Sequence, residues 1–237
     1  MALTLGFDTS ADACAVAVLR EGQLLAADRR TMSRGHAEAL VPMVLGVFAQ
    51  ASESLADCDR IGVTVGPGSF TGVRTGLAAA RGFAAATGAR AIGVSSLQAV
   101  ARGAFRAAAA PAPERVLCIL DTRRSDFFAQ AFDRDLVPEA LPAVLDAEGV
   151  RRLLTGDELL AGNAVARFAD GFGAGADGWR IAPGCEAPGA EDVARIADLA
   201  CDAAERAGEK GMEHSLSPLY LRPPEAKLPK DGGRLRK

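Results

Sequence analysis

The chain has 237 residues, which is enough for one large domain or two small ones. Its formal net charge is −3 at pH 7, so no overall positive field attracts it to nucleic acid or anionic lipid. The amino terminus lacks a basic stretch followed by an apolar run, and no stretch approaches the roughly 18 apolar residues of a membrane span. The five cysteines are scattered and form no C-x-x-C pair, which is typical of free thiols. We therefore expect a cytoplasmic protein without membrane association.

The first half of the chain predicts a regular order of strands and helices. Apolar runs bounded by turn residues predict three strands over residues 3–7, 14–19 and 24–30. Helices and strands then alternate: a helix over 36–50, a strand over 61–65, a helix over 70–87, a strand over 91–94 and a helix over 97–109. Ser95, followed three residues later by Gln98, predicts a capping box that begins the last helix. The order is β-β-β-α-β-α-β-α.

The second half predicts the same order with weaker patterns. Strands are predicted over 116–120, 127–132 and 141–145, followed by a helix over 148–154, a strand over 159–161, a helix over 164–168, a strand over 179–181 and a helix over 191–207. An Ala- and Pro-rich stretch over 107–113 separates the halves. We therefore expect two related α/β lobes, residues 1–108 and 109–222, that face each other across a cleft. Residues 223–237 are basic and are expected to form a disordered tail.

The first strand of each predicted lobe ends in an aspartate. Asp8 is followed by Thr9 and Ser10, and Asp121 is followed by Thr122 and Arg123. Ligands of open α/β sheets bind outside the carboxyl ends of the strands, so both aspartates are expected to lie at one cleft. The alternative is that each aspartate simply begins a turn, a position that aspartate favours.

A glycine-rich loop lies between the predicted strand 61–65 and the helix that follows it. Backbone N–H groups and a helix N-terminus in such a place can bind an anion. The loop is not a Walker loop, because Val73 and Arg74 follow Gly72, and its glycine spacing does not fit a dinucleotide fingerprint. The alternative is a tight turn that lets strand and helix pack closely. The candidate cleft residues, which would also bind any nucleotide, are Asp8, Thr9, Ser10, Gly66, Gly68, Ser69, Asp121 and Arg123.

The first two predicted helices indicate a surface for a partner. Residues 39–52 contain no charged side chain, and apolar side chains surround the helix axis, so one sheet covers only part of them. The second helix has two Ala-Ala-Ala runs, and its only charged residues are Arg74 and Arg81. The alternative is a helix buried wholly within its own lobe. The candidate partner-binding residues are Leu40, Val41, Val44, Leu45, Phe48, Phe70, Val73, Arg74, Leu77 and Arg81.

The histidines give no indication of a metal site. The chain has only His36 and His214, and Leu40 occupies the position one helical turn after His36. A zinc site needs several nitrogen, sulfur or oxygen ligands close together. We expect no metal and no obligatory cofactor, while weak binding of ATP or ADP at the cleft stays open.

Several blocks of the sequence resemble the TsaB (YeaZ) family. They are residues 8–18, 35–42 and 66–76, supported by 92–97, 121–123 and 218–222 in the same order. The resemblance covers nearly the whole chain and is weakest over 133–190. It implies an actin/hexokinase-like (ASKHA) fold. It also implies a role in N6-threonylcarbamoylation of adenosine-37 in tRNAs that read ANN codons.

The same resemblance implies partners and assigns this chain a non-catalytic role. Family members act with the catalytic paralogue TsaD and the ATPase TsaE, and they pair through the first two helices with TsaD or with themselves. tRNA is then contacted only through the complex, and a homodimer of the isolated chain stays open. The alternative function is a nucleotide-dependent hydrolase or phosphotransferase that uses Asp8 and Asp121. The missing phosphate-loop lysine, paired histidines and cleft glycines favour a scaffold that activates TsaD.

Overall fold

The computed structural model describes residues 2–109, 111–171, 179–207 and 216–222. It contains two five-stranded mixed sheets with strand orders β3-β2-β1-β4-β5 and β10-β9-β6-β7-β8. The strands of the first sheet are β1 (Leu3–Ala11), β2 (Ala13–Arg20), β3 (Gln23–Thr31), β4 (Arg60–Gly66) and β5 (Arg90–Ser95). Those of the second sheet are β6 (Arg115–Asp121), β7 (Phe127–Asp133), β8 (Ala143–Leu145), β9 (Leu159–Ala161) and β10 (Arg180–Ile181). The helices are α1 (His36–Gln50), α2 (Phe70–Thr87), α3 (Ser96–Ala107), α4 (Ala147–Arg151), α5 (Val165–Asp170) and α6 (Ala190–Arg206).

The two sheets have the same connectivity. In each, three consecutive strands pair antiparallel, and the first of them also lies parallel to a later strand, β4 in the first sheet and β9 in the second. Parallel neighbours need a crossover, and a helix supplies each one. The duplicated β-β-β-α-β-α-β-α unit predicted from the sequence is confirmed.

Helices α1 and α2 cover one face of the first sheet. Alternate residues of β1, such as Leu5 and Phe7, point to this face and pack in one core with Leu40 and Val44 of α1 and Leu77 of α2. Burial of these side chains supplies most of the stabilisation of this layer, at about 1.5–3 kcal/mol for each large apolar side chain.

The last helix of each half packs on the sheet of the other half. Helix α3 packs against β6, β7 and β9, whereas α6 packs against β1, β2 and β4. The close approach of α6 depends on glycines, because a Cβ atom on Gly6 would lie 2.4 Å from the carbonyl oxygen of Ala190. Arg106 of α3 binds both carboxylate oxygens of the buried Asp192 of α6, at 3.1 and 2.9 Å. The two lobes therefore interlock through these helices, and a division at residue 108 stays a prediction.

Four local predictions differ from the structure. The strand predicted over 3–7 continues to Ala11, so Asp8 lies inside β1 and not at its end. The strand predicted over 141–145 begins at Ala143, and the helix predicted over 148–154 spans Ala147–Arg151. Ser95 does precede α3, but its hydroxyl makes no capping hydrogen bond and is buried without a partner among the described residues. The prediction of a capping box is therefore wrong.

The predicted tail over 223–237 and His214 lie outside the described residues. Within the described ranges, none of the helices combines the length and the apolar character needed to span a bilayer.

Candidate functional site

A cleft of about 370 Å³ lies between the two lobes. The first lobe contributes the end of β1, the loop before α2 and the start of α2, while the second lobe contributes the ends of β6 and β9 with the loops that follow them and the segment between β10 and α6. The polar side chains that line the cleft are Ser10, Asp12, Ser69, Thr71, Asp121, Thr122, Arg123, Asn163 and Glu186, and Gly68 and Phe70 also line it.

Asp8 lies beneath this cleft and does not line it. Its side chain is fully buried, and its Oδ1 atom accepts hydrogen bonds from the Ser10 backbone N–H at 3.0 Å, the Ser10 hydroxyl at 2.6 Å and the Thr64 hydroxyl at 2.6 Å. Its Oδ2 atom has no partner among the described residues. Burial raises the pKa of Asp8 above its ordinary value, although these hydrogen bonds partly oppose the shift. In this structure Asp8 is a buried structural carboxyl, and Ser10 separates it from the cleft.

The hydrogen bonds of Ser10 continue into α3. Its hydroxyl lies 3.1 Å from the hydroxyl of Ser96, the first residue of α3, and both side chains are buried. Because α3 also packs on the second sheet, this contact links the end of β1 to the helix that joins the two lobes. The polar network under the cleft therefore helps to fix how the lobes meet.

The end of β1 occupies the space beside Gly68, in the loop between β4 and α2, and beside Gly76, in α2. A Cβ atom on Gly68 would lie 2.5 Å from the carbonyl oxygen of Ser10, and one on Gly76 would lie 2.6 Å from the hydroxyl oxygen of Thr9. The Ser69 backbone N–H donates to the Ser10 carbonyl at 2.7 Å, so it is not available to an anion. These contacts support the packing interpretation of the loop over the phosphate-binding one.

Three further candidates have local roles in this loop. Thr9 is buried, and its hydroxyl donates to the Gly72 carbonyl oxygen at 2.8 Å. The Ser69 hydroxyl caps α2 by accepting from the Gly72 N–H at 3.3 Å. Gly66 has a φ of 101°, a conformation that favours glycine.

On the second lobe, Asp121 is held by its own loop. Its carboxylate accepts a hydrogen bond from the Arg123 backbone N–H at 2.9 Å and another from Arg167 at 2.9 Å. The Asn163 side chain accepts from the Asp121 N–H at 2.8 Å. The Arg123 guanidinium crosses the cleft and pairs with Asp12 at 2.6 Å. Arg123 therefore already has a carboxylate partner.

Sequence reasoning missed Asp12, Asn163 and Glu186. Asn163 lies two residues after β9, and Asp121 is the last residue of β6. These strands are parallel neighbours, so strand ends alone would have indicated Asn163. No motif marks Asp12 or Glu186. The charged residues that line the cleft are thus three acids and one arginine. Such a lining disfavours a polyphosphate without bound cations. No group of three metal-ligating side chains occurs among the described residues.

The structure divides the candidate partner residues into two sets. The first set lies in the core of the first lobe and consists of Leu40, Val44, Phe48, Val73 and Leu77. The second set is exposed and consists of Val41, Leu45, Phe70, Arg74 and Arg81. The exposed fractions are 44% for Val41, 53% for Leu45 and 54% for Phe70, which are high for large apolar side chains. We call the exposed sides of α1 and α2, which carry this second set, the helix face. Its apolar part consists of Val41, Leu45 and Phe70.

A segment that sequence reasoning did not connect to this surface runs beside α2. We call residues 216–222 the strap. The Leu219 N–H donates to the Val65 carbonyl at the end of β4 at 2.8 Å, and Tyr220 packs against Phe70 with ring centroids 5.7 Å apart. Arg222 then pairs with Asp126 of the second lobe. The strap therefore borders the helix face and joins it to the loop that follows Asp121.

The two interlocked lobes and the cleft between them define an actin/hexokinase-like protein. The activator of 2-hydroxyisocaproyl-CoA dehydratase from Clostridium difficile matches 86% of this chain and 97% of its own at a TM-score of 0.53 and 13% identity. A ROK hexokinase from Thermus thermophilus matches 85% of this chain and 99% of its own at a TM-score of 0.52 and 14% identity. At these identities the likeness shows the fold alone.

More similar proteins define the family. A family model described as TsaD, tRNA N6-adenosine threonylcarbamoyltransferase, matches residues 30–147. The tRNA threonylcarbamoyladenosine biosynthesis protein TsaB of Escherichia coli is 32% identical over 227 residues, 92% of this chain and 94% of its own. YeaZ from Pseudomonas aeruginosa superposes with a TM-score of 0.76 at 28% identity, covering 93% of this chain and all of its own. The chain belongs to the TsaB family of tRNA threonylcarbamoyladenosine biosynthesis proteins.

Proposed function

We propose that this chain is a non-catalytic subunit that stabilises and activates the TsaD paralogue in N6-threonylcarbamoylation of adenosine-37 in tRNAs that read ANN codons. It acts in the cytoplasm with TsaD and with the ATPase TsaE, and it meets tRNA only through that complex. The exposed apolar part of the helix face carries this proposal. Val41, Leu45 and Phe70 are each at least 44% exposed, and a soluble subunit gains free energy when a partner covers such a surface.

The similarity to TsaD proteins supports the choice of partner. The tRNA N6-adenosine threonylcarbamoyltransferase of Solidesulfovibrio magneticus is 38% identical over 112 residues, which are 41% of this chain and 30% of that protein. Two chains that share a lobe of this kind have related helix faces, so a pseudo-symmetric pairing of helices is geometrically straightforward.

The alternative, a nucleotide-dependent enzyme that uses Asp8 and Asp121, has less support. Asp8 is buried under Ser10, and Ser10 and Thr9 occupy the space beside Gly68 and Gly72. Of the two aspartates, only Asp121 lines the cleft, where three acids face one arginine. An enzyme of this class needs groups that stabilise the charge on a transferred phosphoryl group.

A reconstitution with purified TsaD and TsaE from the same organism tests the proposal. We expect threonylcarbamoylation of tRNA to depend on this chain, to be absent with this chain alone, and to persist at a large fraction of the normal rate with the Asp121→Asn variant. A Leu45→Glu variant should fold normally and fail to support the reaction. Activity of this chain alone, or complete loss of activity in Asp121→Asn with the complex still formed, would contradict the non-catalytic role.

A further inference from the structure

The part of the helix face that α2 supplies lies in a long stretch without acidic residues. Between Asp59 and Glu114 the sequence contains no aspartate or glutamate, although the chain as a whole has 30 acidic against 27 basic residues. Helix α2 lies inside this stretch and has two charged residues, Arg74 and Arg81. Helix α1 adds one acid, Glu38, in its first turn. An acidic protein thus presents a locally positive surface here.

Arg74 is exposed and has a neutral hydrogen-bond partner. Its Nε atom donates to the Tyr220 hydroxyl at 3.0 Å, and its guanidinium lies 3.5 Å from the centre of the Phe70 ring. The contact with Phe70 is a cation–π interaction, which leaves the positive charge in place. These contacts hold the guanidinium in one orientation at the edge of the helix face.

Arg81 has the same kind of environment. It is exposed, and its Nη2 atom donates to the carbonyl oxygen of Leu216 in the strap at 2.6 Å. Among the described residues, neither Arg81 nor Arg74 has a carboxylate partner. Other arginines of the chain do: Arg20 binds Glu53 at 2.5 Å, and Arg115 binds Glu139 at 2.7 Å. The strap therefore positions two guanidinium groups without neutralising them.

We propose that Arg74 and Arg81 bind carboxylates of the protein that docks on the helix face. The partner then has an apolar helical surface that covers Val41 and Leu45, with aspartate or glutamate side chains at the edge that meets the strap. This inference rests on the proposed function and specifies its partner chemically. Complementary charges at the edge of an interface accelerate association and select the partner, whereas the apolar centre supplies most of the affinity.

Charge complementarity also distinguishes this partner from a second copy of the chain. A two-fold pairing of helix faces would bring the arginines of both copies to one interface, with Glu38 as the acid that each copy adds from α1. Like charges without partners oppose that association. The face therefore favours a different protein with an acidic edge over self-association.

Binding of purified TsaD from the same organism, measured by calorimetry at several salt concentrations, tests the inference. The test variant is Arg74→Gln with Arg81→Gln. The control is Arg29→Gln with Arg152→Gln, which removes the same charge from exposed positions on β3 and beside α4. We expect the test variant to bind about tenfold more weakly at low salt, as two weak ion pairs imply. The difference should shrink near 1 M salt, where the Debye length falls to about 3 Å. Tyr220→Phe, which removes the acceptor of Arg74, should show a smaller loss with the same salt dependence.

The outcomes separate the two proposals. If wild type does not bind TsaD, or Leu45→Glu binds as wild type does, the proposed function fails and the inference fails with it. Another outcome is that Leu45→Glu abolishes binding while the Arg74→Gln, Arg81→Gln variant matches the control at every salt concentration. In that case the helix face is the interface, and the proposal that Arg74 and Arg81 bind carboxylates of the partner is wrong. A homodimer of the isolated chain that this double variant weakens tenfold would also overturn the inference, because the arginines would then serve self-association.

Discussion

The carbonyl oxygen of Thr9 lies 1.9 Å from the position that a Cβ atom on Gly72 would occupy. The end of β1 is thus in direct contact with the first turn of α2, and the Thr9 hydroxyl adds a hydrogen bond to the Gly72 carbonyl at 2.8 Å. This contact sets the position of α2 on the sheet, and hence the positions of Phe70 and Arg74 on the helix face.

Gly72→Ala should therefore destabilise the protein by about 1–3 kcal/mol or more, because the added methyl group forces backbone apart in a packed region. Gly82→Ala is the matched control on the same helix, since a Cβ atom there would have nothing within 4 Å. The control should gain about 0.5–1 kcal/mol from helix propensity. Urea unfolding measures both free energies. A Gly72→Ala protein as stable as wild type would contradict the close contact.

Glutamate substitutions on α1 should separate the core from the interface. Leu40→Glu and Val44→Glu place a charge in the core of the first lobe and should prevent folding, because a buried unpaired charge costs several kcal/mol. Val41→Glu and Leu45→Glu change exposed positions and should leave the melting temperature nearly unchanged while weakening TsaD binding by about a hundredfold. Thermal melting measures the stability of each variant, and calorimetry measures its binding to TsaD. Unfolding of all four variants would show that α1 is core only.

Asp8→Asn should change how stability depends on pH. The raised pKa of buried Asp8 means that the folded state keeps its proton at a pH where the unfolded chain, with a pKa near 3.8, has released it. Unfolding then releases a proton, so the free energy of unfolding of wild type falls as pH rises above about 3.8 towards the pKa of the folded state. Asparagine does not titrate, so the variant lacks this contribution.

The measurable quantity is the difference in unfolding free energy, wild type minus Asp8→Asn, from urea titrations between about pH 4 and 8. This difference should fall as pH rises and should level off once pH exceeds the pKa of Asp8 in the folded state. Thr64→Val, which removes one hydroxyl that stabilises the ionised carboxylate, should extend the fall to higher pH. A difference that rises with pH would mean that Asp8 is ionised in the folded protein.

The native thiols should be unreactive. All five cysteines are free and buried, and burial raises the pKa of Cys14 and of Cys58 to about 11. The thiolate is the reactive form, so iodoacetamide at pH 8 should label native protein far more slowly than unfolded protein. Mass spectrometry should find up to five additions after denaturation and almost none before. Rapid labelling of a single cysteine in the native state would contradict its burial.

Much of the architecture followed from local patterns. The alternation of apolar and turn residues predicted the start of β1, the strands β2 to β7 and the positions of α1, α2, α3 and α6 closely, since hydrophobic periodicity reports directly on the face that each element buries. For the second half of the chain the prediction was less accurate at β8 and α4. These elements have three and five residues, which are too few for a period to be recognised.

The candidate site was predictable only in part. Asp121 ends β6 as predicted, whereas β1 continues past Asp8 to Ala11. The polar network around buried Asp8 includes Ser10, Thr64 and Ser96, which come from three different elements. The role of the strap could not be predicted from the sequence either, because the contacts of Tyr220 with Phe70 and Arg74 join residues about 150 positions apart. No local pattern reports such pairings.

The sequence by itself determined the duplicated fold, the family and the presence of an apolar helix pair, because periodicity and motif order are properties of neighbouring residues. The tertiary structure decided which side of α1 is covered, which aspartate lines the cleft, and that α3 and α6 each pack on the opposite sheet. These outcomes depend on which surfaces meet after the chain has folded. Val41 and Leu40 are adjacent, yet one is 44% exposed and the other 1%, because a helix turns about 100° per residue while the sheet covers only one side.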